Sequence, residues 1–373
     1  MSRIVLFFLV ILFYNLYAHQ KYGEDKKKKY FLMAVGAFFI LESALRHLGV
    51  GPDTYHYYEI FEQAKNTTYD RIANSLAGTD PHPIKDPFYW LFQKVFQIFF
   101  PKFRLFLFFI AILFFSSLNR FLLRNHLSLR DMMIAYLFYL GMFHSFFSYT
   151  GLRQTIAVAI IFHSTIYLFD GKNVKSLACT FLAFLFHSSA SVFLLAYCFR
   201  FVRNPRIFLP IMLSFMFLFI VLKEYIMLYV LYSTGLEDRF ERFATAKTEG
   251  AGSFAVTLLY LIVFAFLFMS YRKIAKDRLL FNHFQYYCFV VACLPIMYMD
   301  NSAFRIASFF SISMYVLIPF MVSQIKFRQK YLAIYSLFFL LLLFSALKSD
   351  YCFYWQNMAM PAYGFSSFSE PFL

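Results

Sequence analysis

The sequence predicts an all-α fold, a polytopic transmembrane helical bundle, and two observations carry that prediction. Hydrophobic residues fill 61% of the 373 positions and charged residues only 15%, against about 45–50% apolar and about 25% charged in an ordinary soluble domain. The apolar excess is gathered into long stretches, such as 4–18, 207–222 and 331–347, which match the hydrocarbon thickness of a bilayer. Backbone N–H and C=O groups in lipid must be satisfied within their own segment, so such stretches are helices. Barrel strands would alternate and be shorter.

Taken in order, the first apolar run, 4–18, carries a lone Arg3 and leads into a lysine cluster rather than a small-residue cleavage site. It reads as a retained helix, not a leader. Further spans fall at 30–48, 103–118, 132–148, 153–169, 174–201, 207–222, 254–270, 282–299, 303–321 and 331–347. Basic loops lie at 21–29, 120–130, 172–175, 200–206, 272–278 and 326–330, and the positive-inside rule places them all in the cytoplasm. A single crossing over 174–201 breaks that rule by carrying 200–206 and 326–330 outside. Two short helices joined by a turn at His187-Ser188-Ser189 restore it, and such a pair can sit inside a bundle. The result is a single transmembrane domain over 1–373, with about 12 membrane helices and both termini outside. Two long outer loops remain, at about 49–102 and 223–252. The stretch 88–100, apolar but short and opened by Pro87, reads as an interfacial or re-entrant helix.

The net charge of +15 would suggest nucleic acid in a soluble protein. Here the lysines and arginines sit in short loops between spans, where they face anionic lipid, so nucleic acid is excluded as a partner. The five cysteines form no CxxC pair, and four lie in apolar spans as small packing residues. No metal-ligand spacing, phosphate-binding glycine loop or Gly-x-Ser-x-Gly turn occurs; neither a metal nor a cofactor is expected.

Ionisable residues at span ends are the functional candidates. Glu42 and Arg46 are spaced i, i+4 and share a helix face; a structural ion pair is the plain alternative. Asp53 follows Gly49 and Gly51 and precedes Tyr55-His56-Tyr57-Tyr58, as a turn-forming Asp before interfacial aromatics also would. Arg153-Gln154 opens a helix whose N-terminus faces outward. A cation is disfavoured there by the helix dipole unless an anion is shared between it and the backbone N–H groups. His187 precedes a second outward N-terminus, with Ser188 as its cap, and Arg305 lies in the first turn of a third. Together the three make a diphosphate the natural ligand class; each alone is explained by snorkelling. The run 237–242 alternates in sign, and Arg239 and Arg242 either contact an anionic substrate or belong to a solvated helix face.

These segments resemble the EpsG family, related in role to Wzy-type O-antigen and capsule polymerases. Residues 46–57, from Arg46 through Gly49, Gly51 and Asp53 to Tyr57, are similar to its first outer-loop motif. Gly151-Leu-Arg153-Gln154-Thr-Ile-Ala157 resembles its Arg-Gln-x-x-Ala element, and Phe186-His187-Ser188-Ser189 its Phe-His-x-Ser motif. Arg305 and Pro361-Ala-Tyr363 are similar to weaker features. Where the pattern leads to a Glu before the amphipathic segment, this chain has Asp86-Pro87.

The resemblance implies a polysaccharide polymerase, a membrane glycosyltransferase with a GT-C-like helical fold, on the outer face of a bacterial inner membrane. Undecaprenyl-diphosphate-linked oligosaccharides would be its substrates, membrane lipid its surroundings and a chain-length regulator a further partner. On this reading Asp53 is the base, with His187 as the alternative. Arg153 and Arg305 hold the diphosphate, assisted by Arg46, while Gln154, Tyr57 and Tyr363 position sugars. The rival functions are a flippase or transporter for the same lipid-linked glycan, a ligase with the same leaving group, and an acyltransferase. The last would need a carboxylate beside its histidine, and His187 has no acidic neighbour in sequence.

Overall fold

The computed structural model describes residues 3–51, 53–202, 204–234, 250–299, 303–326 and five positions between 331 and 339. Among them there is no strand; the described chain is helices and short connections. Among the described residues two helices, Phe103–Arg124 and Leu152–Phe169, are long and apolar enough to cross a membrane, and the pair Phe304–Ser311 and Met314–Gln324, bent by 62°, passes the same test when taken together. Large apolar side chains are left bare on other helices, including Leu12 at 58%, Phe181 at 60% and Phe217 at 67% exposed. Surfaces of that kind suit lipid and not water.

The helices group into two compact units. The first comprises 1–163, 181–188 and 327–373; the second comprises 164–180 and 189–326. In the first, α1 (Arg3–Ala18) packs against α2 (Glu24–Ala44), and α2 lies along α6 (Phe103–Arg124) and α7 (Leu129–Met142). Gly36 permits the close approach of α2 to α6: a Cβ there would stand 2.9 Å from the Asn119 amide nitrogen. That amide donates to Leu32 O at 3.0 Å and accepts from the Tyr136 hydroxyl. Polar side chains holding helices together in this way are typical where the surroundings are apolar. The start of α7 is fixed by a capping box, in which Ser128 and Asp131 satisfy each other's backbone N–H groups.

The outer segment predicted over 49–102 contains three helices: α3 (Thr54–Asn66), α4 (Tyr69–Ala77) and α5 (Pro87–Phe99). Both α3 and α4 pack on α5. Thr68 caps α4, and Gly78 ends it in the left-handed conformation that glycine adopts without a Cβ penalty. A helix, α5, is present where the apolar stretch 88–100 predicted one. Pro87 occupies its first turn, where the missing N–H costs nothing. Ile98 and Phe99 at its far end are 66% and 72% exposed.

The break predicted at His187 is present. Helix α9 (Asn173–Phe186) ends there, followed by a 3-10 helix, Ser188–Leu194, and α10 (Leu195–Phe199). The two legs fold back on each other. The Tyr197 hydroxyl donates to Ser176 Oγ at 2.7 Å, and the Arg200 guanidinium donates to Asn173 Oδ1. Loops 172–175 and 200–206 therefore meet at one end, as the loop charges demanded. The second leg departs from expectation in starting as a 3-10 helix, so Ser188 does not cap an α-helix.

In the second unit, α11 (Pro205–Thr234), α12 (Gly250–Met269), α15 (Ala303–Ser311) and α16 (Met314–Gln324) surround or adjoin α14 (Arg278–Met299), with the short α13 (Tyr271–Ile274) leading into it. Helix α11 runs past the predicted span end at 222 into what was read as the loop 223–252. The lone Lys223-Glu224 is followed by another apolar stretch, so the helical pattern resumes where charge suggested an end. Residues 235–249, including Arg239 and Arg242, and the predicted last span and tail beyond 339 lie outside the described residues.

Candidate functional site

The first unit gathers buried polar side chains around the heads of α3, α5 and α8 (Leu152–Phe169). The core of the site is Asp86. Its backbone is left-handed, with φ 53° and ψ 62°, an uncommon conformation for a non-glycine residue. A following proline restricts it further by crowding the preceding residue. Conformations of this kind persist where surrounding contacts impose them, and they concentrate at functional sites. Asp86 Oδ2 accepts from Arg153 Nη1 at 2.6 Å, with the two side chains 8% and 14% exposed. The same oxygen lies 4.0 Å from His187 Nδ1.

Three elements deliver these groups. Arg153 stands in the first turn of α8, where backbone N–H groups and the helix dipole favour an anion. Its guanidinium carbon lies 5.9 Å from the centroid of the Tyr57 ring, within cation–π range. Tyr57 belongs to α3 and packs edge-on against the fully buried Tyr89 of α5, with ring centroids 6.3 Å apart. His187 is held by its neighbour: the Phe186 ring packs edge-on against Phe88 and Phe92 of α5, at 5.0 and 5.3 Å. Phe88 and Phe92 are i, i+4 on one helix face, so the end of α9 is fastened to the helix that Asp86 begins.

A second buried cluster adjoins the head of α3. The sequence offered Glu42 and Arg46 as an i, i+4 pair. Arg46 lies beyond the end of α2 at Ala44 and makes no direct ion pair with Glu42 among the described residues, though the Glu42 charge still acts on it. Glu42 instead faces His144, with Oε2 to Nε2 at 3.0 Å, and accepts from the Tyr149 hydroxyl. The His144 side chain is completely buried and Glu42 is 4% exposed. His144 precedes a π-helix, Ser145–Thr150, a rare element that often marks functional sites. Arg46 donates to Ser43 O, a carbonyl at the end of α2, and through Nε to Thr54 Oγ1 at 3.3 Å. The single Thr54 hydroxyl hydrogen is shared between Val50 O at 2.6 Å and Tyr149 O at 2.9 Å. Hydrogen bonds thus run unbroken from Arg46 through Thr54 to the Tyr149 backbone, and from the Tyr149 side chain to Glu42.

Gly51 is required at this junction. Its φ is +87°, and a Cβ would stand 3.0 Å from both Cβ and O of Tyr149. The close packing of the Gly-Val-Gly turn on the π-helix needs glycine for both reasons.

Two guanidinium nitrogens in the site, Arg46 Nη2 and Arg153 Nε, are buried with no hydrogen-bond partner among the described residues. A buried unsatisfied charged donor is costly. An open N–H on each of two arginines, one of them at a helix N-terminus, is a donor that an anion can use.

Of the residues singled out by sequence, the structure thus joins Arg153, His187 and Tyr57. Gln154 is buried, one position after Arg153 on α8. Asp53 caps the head of α3 in sequence position, half-buried, without a hydrogen bond to that helix. Arg305 is exposed in the first turn of α15, in the second unit. Tyr363 lies outside the described residues, as do 300–302. The sequence reading gave no role to Asp86, His144 or Tyr149. His187 has no acidic neighbour in sequence, and the fold brings one to it from far along the chain: Asp86 Oδ2 lies 4.0 Å from its Nδ1.

No curated protein and no solved structure matches the chain. The EpsG family matches it over residues 29–358, a range that begins within α2 and holds α3 to α16 and every paired residue of both polar clusters. The helical, lipid-suited architecture and that match agree: this chain belongs to the EpsG family of polysaccharide polymerase-type membrane proteins.

Proposed function

We propose that the protein polymerises undecaprenyl-diphosphate-linked oligosaccharide repeat units into an O-antigen, capsule or exopolysaccharide chain. The reaction takes place on the outer face of a bacterial inner membrane, in a multi-pass bundle of about 12 helices of GT-C-like type. The observation that supports this most directly is the Asp86, Arg153, His187 and Tyr57 constellation at the head of α8.

The chemistry is displacement at a sugar carbon. An acceptor hydroxyl oxygen forms the new bond to the anomeric carbon of the donor, and the bond from that carbon to the diphosphate oxygen breaks. The electron pair leaves with the diphosphate, and the hydroxyl proton passes to a base. Arg153 meets the charge growing on the leaving group with its buried Nε–H and with the dipole of α8. Arg46 Nη2 supplies a second donor. Arg305 is kept as a further diphosphate ligand on the family resemblance alone.

For the base, His187 gains support from geometry. Asp86 Oδ2 lies 4.0 Å from Nδ1, too far for a hydrogen bond, and places a carboxylate charge beside the ring that would take the proton at Nε2. Asp53 is the alternative base. Tyr57, beside Arg153, Gln154 and Tyr363 position sugars; aromatic rings offer faces for them. A polyprenyl tail can lie between helices in lipid, which explains why such a site is built inside an apolar protein.

The test is to reconstitute the purified protein with one defined lipid-linked repeat, with and without chelator, and to size the product. A ladder of repeat multiples supports polymerisation. A single transfer to another acceptor supports a ligase, and movement of unaltered repeat across the bilayer supports a flippase; either result refutes the proposal.

A further inference from the structure

A second cationic concavity lies entirely within the second unit. It is a cavity of about 210 Å³ whose lining includes Arg200, Lys276 and Arg278, with Phe169, Phe199 and Phe281 as apolar walls and Gln285 as part of its floor. None of these residues takes part in the site described above.

The walls are fixed. The Gln285 amide donates to Phe199 O at 3.2 Å and Val202 O at 2.9 Å, fastening the loop after α10 onto α14. The Phe169 ring packs on His283 and Tyr286 of α14, at 5.1 and 5.5 Å. The Arg200 guanidinium is oriented by Asn173. Of the nearby carboxylates, Asp277 accepts the Leu279 and Leu280 N–H groups at the start of α14, and Asp170 pairs with Lys172 at 3.6 Å.

Three cations around a cavity with aromatic walls fit an amphiphilic anion. The volume is below the roughly 300–1,000 Å³ of sites that hold drug-sized ligands, so it suits a phosphate headgroup and not an oligosaccharide. The cations come from loops 200–206 and 272–278, which the positive-inside rule places at the anionic cytoplasmic leaflet. Basic pockets between membrane helices on that side are suited to acidic lipid headgroups. We propose that this cavity binds the phosphate of an anionic phospholipid from the cytoplasmic leaflet. The proposal rests on the topology of those loops and is independent of the catalytic assignment.

The experiment uses the full chain in a neutral detergent, with phosphatidylglycerol, phosphatidylcholine or inorganic phosphate added, and binding read by native mass spectrometry and by the shift in melting temperature. Wild type is expected to retain and be stabilised by phosphatidylglycerol but not by phosphatidylcholine. Each cation is worth roughly fivefold in affinity near an anionic surface, so the Arg200→Gln, Lys276→Gln, Arg278→Gln triple variant should bind on the order of a hundredfold more weakly. Should the triple variant not fold, Lys276→Gln alone, at an exposed residue, should lose roughly fivefold. Equal retention of the two lipids by wild type, or undiminished phosphatidylglycerol binding by a folded variant, overturns the proposal. Inorganic phosphate binding as tightly as phosphatidylglycerol overturns the lipid assignment in favour of a soluble phosphate ligand.

Discussion

Replacing Asp86 by asparagine separates the charge of this residue from its backbone. Asn tolerates the left-handed conformation that Asp86 adopts at φ 53°, so Asp86→Asn keeps the turn into Pro87 and removes only the carboxylate. That carboxylate is 8% exposed and is paired at 2.6 Å with an arginine that is 14% exposed. Removing one partner of a buried pair costs about 3–5 kcal/mol, because the other charge is left uncompensated. Some exposure of Arg153 puts the expected cost at the lower end, about 3 kcal/mol. At about 2.1 cal/mol/K of unfolding entropy per residue, a chain of 373 residues shifts by about 1.3 °C per kcal/mol, so the apparent melting temperature in detergent should fall by roughly 4 °C. Asp86→Ala should fall further, since it adds the left-handed penalty of about 1–2 kcal/mol. The double variant Asp86→Asn, Arg153→Gln should recover part of the loss, because it removes the orphaned charge. A melting temperature for Asp86→Asn within a degree or two of wild type would refute the reasoning, and so would a double variant no more stable than the single one.

Three further outcomes follow from the same contacts. Glu42→Gln should destabilise the protein by about 1–3 kcal/mol, because His144 and Tyr149 lose a buried anionic acceptor; an unchanged denaturation midpoint would show that this cluster holds nothing together. The Asp80 carboxyl lies below its ordinary value, held there first by the Ser75 hydroxyl and then by the His82 N–H. A depressed folded value means that its contribution is present above the unfolded carboxyl value and lost as pH falls through the lower folded one. Protection of the amides around 78–84 against exchange, corrected for the intrinsic rate, should therefore fall only below about pH 4, and Ser75→Ala should make that fall smaller by bringing the folded value back toward the unfolded one; protection independent of pH over that range would contradict it. Single cysteines placed at Lys172 and Asn204, in a background without other cysteines, should be labelled from the same side of intact membranes, because Asn173 and Arg200 meet; labelling from opposite sides would rule out the fold-back at His187.

Local features of the chain were legible wherever one residue type dictates one conformation. Pro87 and the apolar run behind it announced α5. The conflict of loop charges announced the break at His187, because lysine and arginine are too costly to place on the wrong side of a membrane. Helix α11 was cut short at 222 because a single Lys-Glu pair looked like an end, though the helix tolerates it. The partners in the site were not legible. Asp86 meets an arginine 67 residues away, and Glu42 meets His144 and Tyr149 at separations of 102 and 107. Spacing along one helix suggests a Glu42–Arg46 ion pair, but α2 stops between them; Glu42 bonds to His144 and Tyr149, and Arg46 to Ser43 O and Thr54. The π-helix before α8 carries no signal in residue type, since its register is imposed by packing between Gly51, Thr54 and Tyr149.

The central claim is that Arg153 grips the diphosphate as the glycosidic bond breaks. Its most direct test is the rate of polymer formation by Arg153→Ala in the reconstituted reaction with a defined lipid-linked repeat, at a protein level and fold matched to wild type. Loss of a donor to a developing oxyanion predicts a rate lower by about a hundredfold to a thousandfold, with short or no ladders. Polymer of normal length made at the wild-type rate would contradict the account.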